Sequence, residues 1–293
     1  VPGFGARPPG RIHQHQLRER LRERVRILPG GSALGTFVKL ATPDGLELCQ
    51  AAGFEFVVVD LEHATLTEAD AIALVRQAEL LGLPALVRIP AVDAALINRL
   101  LENGAVGIQL SMLRTKAQTA ELIAATRFAP AGHRSISLAN RVAGYGCTPL
   151  PDFLEAERLC PPLLVGQIET ATTEPLAEVL AGLDVAFVGT TDLAVSLGLS
   201  PGDPGLAQAI DDIAQAAATA GAAFGGWAAT RAAVTGNLAQ ADYLVLGSDL
   251  QFLATALRTA IDPDPDPDPD PDPDQGPDPD QGPDQGPDQG KPA

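Results

Sequence analysis

A parallel (β/α)8 TIM barrel is the fold class that the sequence predicts, and three observations predict it. Eight short apolar runs recur between residues 33 and 249, segments with helical spacing separate most of them, and the runs are apolar on both faces. Strands that lack a polar face belong to a parallel sheet covered by helices. Eight such units in about 230 residues fit a closed barrel better than an open sheet.

The runs are ALGTFVK (33–39), FEFVVVD (54–60), PALVRIP (84–90), AVGIQLS (105–111), LLVGQIE (163–169), DVAFVGT (184–190), AAFGGWA (222–228) and YLVLGSD (243–249). LTEADAIALVRQAELLG (66–82), VDAALINRLLENG (92–104) and RTKAQTAELIAATRF (114–128) have the periodicity of helices. Thr67 is placed to cap the first of these at its N-terminus and Gly82 at its C-terminus. One connection, 129–162, breaks the alternation, and a loop of that length inside a compact domain is expected to be functional.

The two ends differ from the middle. Within LRERLRERVRIL (17–28), Leu17, Leu21, Val25 and Leu28 share one helical face, which predicts a capping helix docked on the barrel. Residues 1–16 are expected to form a flexible extension, and 17–261 the barrel domain. From Asp262 to the end, alternating Asp and Pro place eleven aspartates against one lysine, ten of the seventeen net negative charges. Proline removes backbone donors and like charges repel, so 262–293 is expected to be a disordered, extended tail.

The acidic balance argues against nucleic acid as a partner. Cys49, Cys147 and Cys160 are odd in number and widely spaced, which predicts reduced thiols, not a disulfide framework or a zinc site. No run approaches the roughly 20 apolar residues that span a bilayer, and no secretory signal core is evident. A cytoplasmic protein with no membrane partner is expected. Neither glycine-rich nucleotide loops nor a G-x-S-x-G elbow are present.

Chemistry in a parallel barrel lives where the carboxyl ends of the strands share one face. On that rim the sequence places Lys39, then Asp60 with Glu62 and His63, then Arg88, Gln167 with Glu169, and Asp192. Glu169 and Asp192 follow adjacent strands, and two oxygen ligands without His or Cys suit a hard divalent ion such as Mg2+ or Mn2+. Such an ion polarises a ketone and stabilises the enolate beside it. Arg88 can aim a second positive charge at the same oxygen, and His63 is the natural general base. Schiff-base chemistry would have to use Lys39, because Lys116 begins a helix and Lys291 lies in the tail.

DLEHA (60–64), LVRIP (86–90), RFAPAGHRS (127–135), QIET (167–170) and GTTDL (189–193) together resemble the HpcH/HpaI aldolase family of metal-dependent class II pyruvate aldolases, over roughly residues 17–258. The resemblance implies a pyruvate-type barrel whose last helix is swapped between subunits, in a hexamer or dimer. It implies cleavage of 4-hydroxy-2-oxo acids to pyruvate and an aldehyde, with Mg2+ or Mn2+ as the cofactor and Co2+ also compatible. Carried over by position, Glu169 and Asp192 are the metal ligands, Arg88 binds pyruvate, and His63 is the base. Asp60 is a supporting acid, Glu102 the acid that orients the histidine, and Gln167 with Thr191 line the substrate site. Thr190 stands where the family usually has proline. Two alternatives stay open: a citrate-lyase or malyl-CoA-type lyase, for which Arg134 and Arg141 are the few spare cations, and a non-catalytic keto-acid-binding homologue.

Overall fold

Eight parallel strands close on themselves: β1 (Ala33–Val38), β2 (Phe56–Asp60), β3 (Ala85–Ile89), β4 (Gly107–Leu110), β5 (Leu163–Ile168), β6 (Val185–Val188), β7 (Ala223–Ala228) and β8 (Tyr243–Ser248), with β8 pairing back onto β1. The computed structural model describes residues 11–27, 31–200 and 202–261. The expectations for residues 1–10, for Leu28 and for the 262–293 tail lie outside these. The helices, in chain order, are α1 (Arg11–Ile27), α2 (Pro43–Ala51), α3 (Glu68–Leu80), α4 (Ala94–Glu102), α5 (Lys116–Thr126), α6 (Leu150–Leu159), α7 (Leu176–Val179), α8 (Thr190–Leu197), α9 (Pro204–Ala220) and α10 (Asp249–Ile261). No helix among the described residues is long and apolar enough to cross a membrane.

Local chemistry sets the helix ends. The Thr67 side chain accepts from the Asp70 N–H while Asp70 reaches back to Thr67 N–H, a capping box that starts α3 as the sequence suggests. Gly82, just past its end, takes the left-handed φ of 71° that a C-terminal stop needs. Thr115 and Gln118 form the same box at α5, and Asp93 caps α4.

Alternation along each strand then divides the core in two. One set of side chains, including Val57, Val59, Val87, Ile89 and Ile108, packs outward against the helices. The other, including Phe37, Phe56, Val58, Leu86, Val165, Phe187 and Tyr243, fills the barrel. Phe56 stacks on Tyr243 with ring centroids 4.4 Å apart. Gly35 is required opposite: a Cβ there would stand 2.2 Å from the Phe56 ring.

Helix α1 closes the amino mouth of the barrel. Its Leu17, Leu21 and Val25 join the interior cluster, each burial contributing on the order of 1.5–3 kcal/mol. Polar ties fix its orientation: Gln14 Nε2 donates to Ala105 O at 2.8 Å, and Arg18 Nη1 to Glu157 Oε1 at 2.8 Å. Arg134 Nη1 takes the other Glu157 oxygen at 3.0 Å, and His15 Nε2 lies 2.9 Å from Oε1. Burial alone would raise the Glu157 carboxyl, but Arg18, His15 and Arg134 hold it well below the usual carboxylate range. The helix begins at Arg11, six residues earlier than the sequence suggests, because Gln14 and His15 are part of this anchorage.

The 129–162 connection lies at this same amino end. Helix α5 has already run back from the rim, so the connection and α6 meet α1 and the end of α4 through Glu157, Arg134 and a bond from Val142 N–H to Glu102 O. Within one chain its work is to anchor the plug, not to cover the rim.

The chain divides into a compact unit over 1–253, which holds the barrel, and a second over 254–293, of which 254–261 is the end of α10 and exposed.

Candidate active site

Strand register builds the site. Asp60 pairs across the sheet with Arg88, and Arg88 with Gln109, so three polar side chains point into the barrel at one level, just above the aromatic plug. Arg88 Nε and Nη2 donate to the two Asp60 oxygens at 2.9 and 2.6 Å, a bidentate pair with Asp60 wholly buried. The Arg88 guanidinium also lies 4.2 Å above the Phe37 ring. Burial by itself would raise the Asp60 carboxyl; the Arg88 bonds and charge, with the N–H groups of Glu62 and His63, bring it down to about 2.

The loop after β2 is drawn round this pair. Asp60 Oδ1 accepts from Glu62 N–H at 3.0 Å and from His63 N–H at 3.2 Å. Glu62 Oε2 sits 3.3 Å from Arg88 Nη1 and accepts from Ser111 Oγ at 2.5 Å. Lys39, at the end of β1, brings its Nζ to 3.3 Å from Asp60 Oδ2. The His63 side chain is 60% exposed, with Nε2 3.8 Å from Glu62 Oε2.

Opposite stand the carboxylates. Glu169 is buried at the end of β5, and Asp192 occupies the first turn of α8 beyond β6. Gly189 leaves room for the Glu169 side chain: a Cβ there would meet Glu169 Cγ at 2.7 Å. Burial pushes the Glu169 carboxyl up to about 7; the charges of Glu62 and Asp192 add to the rise, against the Met112 N–H and Arg88. Met112 has a left-handed φ of 51°, costly for a side chain of its size, and this turns its N–H toward Glu169 Oε1 at 3.3 Å. Gln167 accepts from Gln109 Nε2 at 2.6 Å beside it.

Between the two groups lies a cavity of about 190 Å3, lined by Arg88, Gln167, Thr191 and Asp192 with Phe187 and Trp227 as apolar walls. That is below the roughly 300–1,000 Å3 of drug-sized ligand sites, so the cavity suits a molecule of few heavy atoms. Asp60, Glu62, Glu169 and Asp192 bring four carboxyl groups against Arg88 and Lys39; burial is the main cause of the raised Glu169, and the Glu62 and Asp192 charges add to it. An added divalent cation balances the count. Among the described residues no group of three or more His, Cys, Asp or Glu converges as metal ligands.

The fold thus brings together His63, Arg88, Asp60, Gln167, Thr191, Glu169 and Asp192, but not Glu102. Glu102 ends α4, immediately before β4 enters the barrel, and bonds Asn98 at 3.4 Å beside Arg134. That is the amino end, whereas His63 follows the carboxyl end of β2, so an orienting bond between them is not available within one chain. Arg134 and Arg141 are likewise at the amino end, engaged with Glu157 and Glu79. They are not rim cations for a CoA ester. Ser111, Met112 and Gln109 were not anticipated. Inward parity on β4 signals Gln109 and Ser111; nothing local in the sequence signals the Met112 turn.

The open-rimmed parallel barrel thus sets an arginine–aspartate pair and two carboxyl groups at the carboxyl ends of its strands, the face where the chemistry of such barrels lies. The chain belongs to the HpcH/HpaI aldolase/citrate lyase family, whose model matches residues 33–256. It is 32% identical over 239 residues to a hydroxypyruvate/pyruvate aldolase of Deinococcus radiodurans, covering 78% of this chain and 84% of that one. It is 32% identical over 209 residues to a 4-hydroxy-2-oxovalerate aldolase of Rhodococcus jostii, covering 68% and 78%. The HpcH/HpaI aldolase structure from Desulfitobacterium hafniense superposes with a TM-score of 0.73 at 28% identity, over 79% of this chain and 92% of that one.

The Asp60 pair sets an acid limit. Its carboxyl titrates lower in the folded chain, at about 2, than the ordinary 3.8, so its stabilisation is complete above pH 4 and is lost as pH falls toward 2. Urea unfolding at pH 4 and pH 2 is expected to show a drop in stability that is smaller by about 2 kcal/mol in Asp60→Asn. An equal drop in the variant would contradict the assignment.

Proposed function

We propose that this chain cleaves, and in reverse forms, 4-hydroxy-2-oxo acids, exchanging them for pyruvate and a short aldehyde. The observation that carries the reading is the cavity lined by Arg88, which Asp60 fixes, and by Asp192, with the Glu169 side chain packed against Gly189 of its wall. When bound by Glu169 and Asp192, a divalent cation such as Mg2+ or Mn2+ supplies the positive charge that a developing enolate needs. The remaining work falls to the chain itself.

Arg88, its guanidinium held in one plane by Asp60, binds the oxo acid and stabilises charge on its oxygen. Gln167 and Thr191 flank the oxo acid and orient it. His63, on the rim, accepts the proton of the 4-hydroxyl; the C3–C4 bond breaks, its electrons pass to C3, and the aldehyde leaves. Return of that proton to C3 completes pyruvate. Phe187, Phe37 and Trp227 keep the inner wall dry, which strengthens the Arg88 interaction. The small cavity favours aldehydes of few carbons.

The active form is proposed to be an oligomer. On α10, Leu250, Leu253, Leu257 and Ile261 follow at helical spacing and all are exposed, an apolar row that a second copy can cover, in keeping with a swapped last helix. Three free cysteines agree with a cytoplasmic setting.

Purified protein with Mg2+ or Mn2+ is expected to exchange the C3 protons of pyruvate with deuterium, and chelation to abolish the exchange. Arg88→Ala should lower the rate by about 10²–10³-fold. No exchange under any metal, or an undiminished Arg88→Ala, would sink the reading. Light scattering should report an assembly that Leu253→Glu with Leu257→Glu dissociates; a wild-type monomer would rule the oligomer out.

A further inference from the structure

We propose that Lys39 is a positioning residue that clamps the backbone at His63, a role that rests on the assignment of His63 as the base. The argument starts from a surplus. Arg88 alone neutralises Asp60 through two short bonds, yet a second cation, Lys39, stands 3.3 Å from the same buried carboxylate with its side chain only 20% exposed. Desolvating a lysine to pair with an already paired carboxylate gains little stability. Its Nζ has another partner: it donates to the carbonyl oxygen of His63 at 3.2 Å.

That bond completes a grip on the two peptide units that flank the His63 Cα. The His63 N–H is held by Asp60 Oδ1 at 3.2 Å, and its C=O by Lys39. The ring itself has no comparable restraint, being 60% exposed with its nearest charged partner, Glu62, at 3.8 Å. Backbone ties therefore decide where the imidazole stands. Lys39 can serve as an anchor because its own backbone is fixed: Lys39 N–H and Leu40 N–H donate to the two oxygens of Asp249 at 2.9 and 3.0 Å. The chain of restraint runs from Asp249 through the end of β1 and Lys39 to His63, across the β1–β2 seam. It leaves the amine engaged by Asp60 and a carbonyl, in a non-covalent role instead of that of a Schiff-base former.

Displacing a base by an ångström costs rate more than binding. Lys39→Met in the full-length chain with Mg2+ is expected to lower kcat for cleavage of a 4-hydroxy-2-oxo acid by about 10- to 100-fold, with KM changed less than about two-fold. In a His63→Ala background the same substitution should have no further effect. Hydrogen exchange at the amides of 61–64 should quicken in Lys39→Met and in Lys39→Gln, an outcome that does not depend on the activity being present. A raised KM with unchanged kcat would make Lys39 a substrate contact and overturn the clamp. So would an equal loss of kcat in both backgrounds, unaltered amide exchange, or a borohydride-trapped pyruvate adduct on Lys39. A wild-type protein that turned over no oxo acid would count against the aldolase reading alone, and the amide exchange would still decide the clamp.

Discussion

The buried pair of Asp60 and Arg88 is the interaction on which the site depends. Removing two charges from water costs several kcal/mol per ion, and the pair persists only because nearly every polar group in it is satisfied. Asp60 accepts both guanidinium bonds and two backbone N–H groups, while Arg88 rests on Phe37 and reaches Glu62. An apolar pair of similar volume would fill the barrel at least as stably. Its presence points to function: it holds a guanidinium in a fixed plane at the wall of a small cavity.

The rest of the fold is arranged so that this pair faces one open end. Aromatic rings on alternate inward positions fill the barrel below it, and α1, locked by Glu157 between Arg18 and Arg134, shuts the amino mouth. What lies above is polar and oversupplied with carboxylates. Glu169 is raised chiefly by burial and further by the Glu62 and Asp192 charges, and perturbed carboxyls of this kind concentrate where proteins bind cations or do chemistry.

Much of this was legible in the sequence because parallel strands covered on both faces leave an unmistakable apolar run, and because a charged residue closing such a run can only lie at the rim. Asp60, Arg88, Gln167 and Glu169 fall into place for that reason. Phe37 and Trp227 were illegible as site residues, since an aromatic ring in a strand reads as core until parity places it at the mouth. The left-handed turn at Met112 has no glycine to announce it. Glu102 and the 129–162 connection were not placed by the sequence for a common cause: distance along the chain does not say which end of the barrel a segment returns to, and within one chain both return to the amino end.

The central claim is that the carboxyl excess at the rim is a cation site built from Glu169 and Asp192. Titration with Mn2+, followed by electron paramagnetic resonance, tests it most directly, because free Mn2+ is counted without any need for turnover. One Mn2+ per chain is predicted for the wild type, lost in Glu169→Gln and in Asp192→Asn and retained in His63→Ala. Mn2+ binding that survived both carboxylate substitutions unchanged would contradict the account.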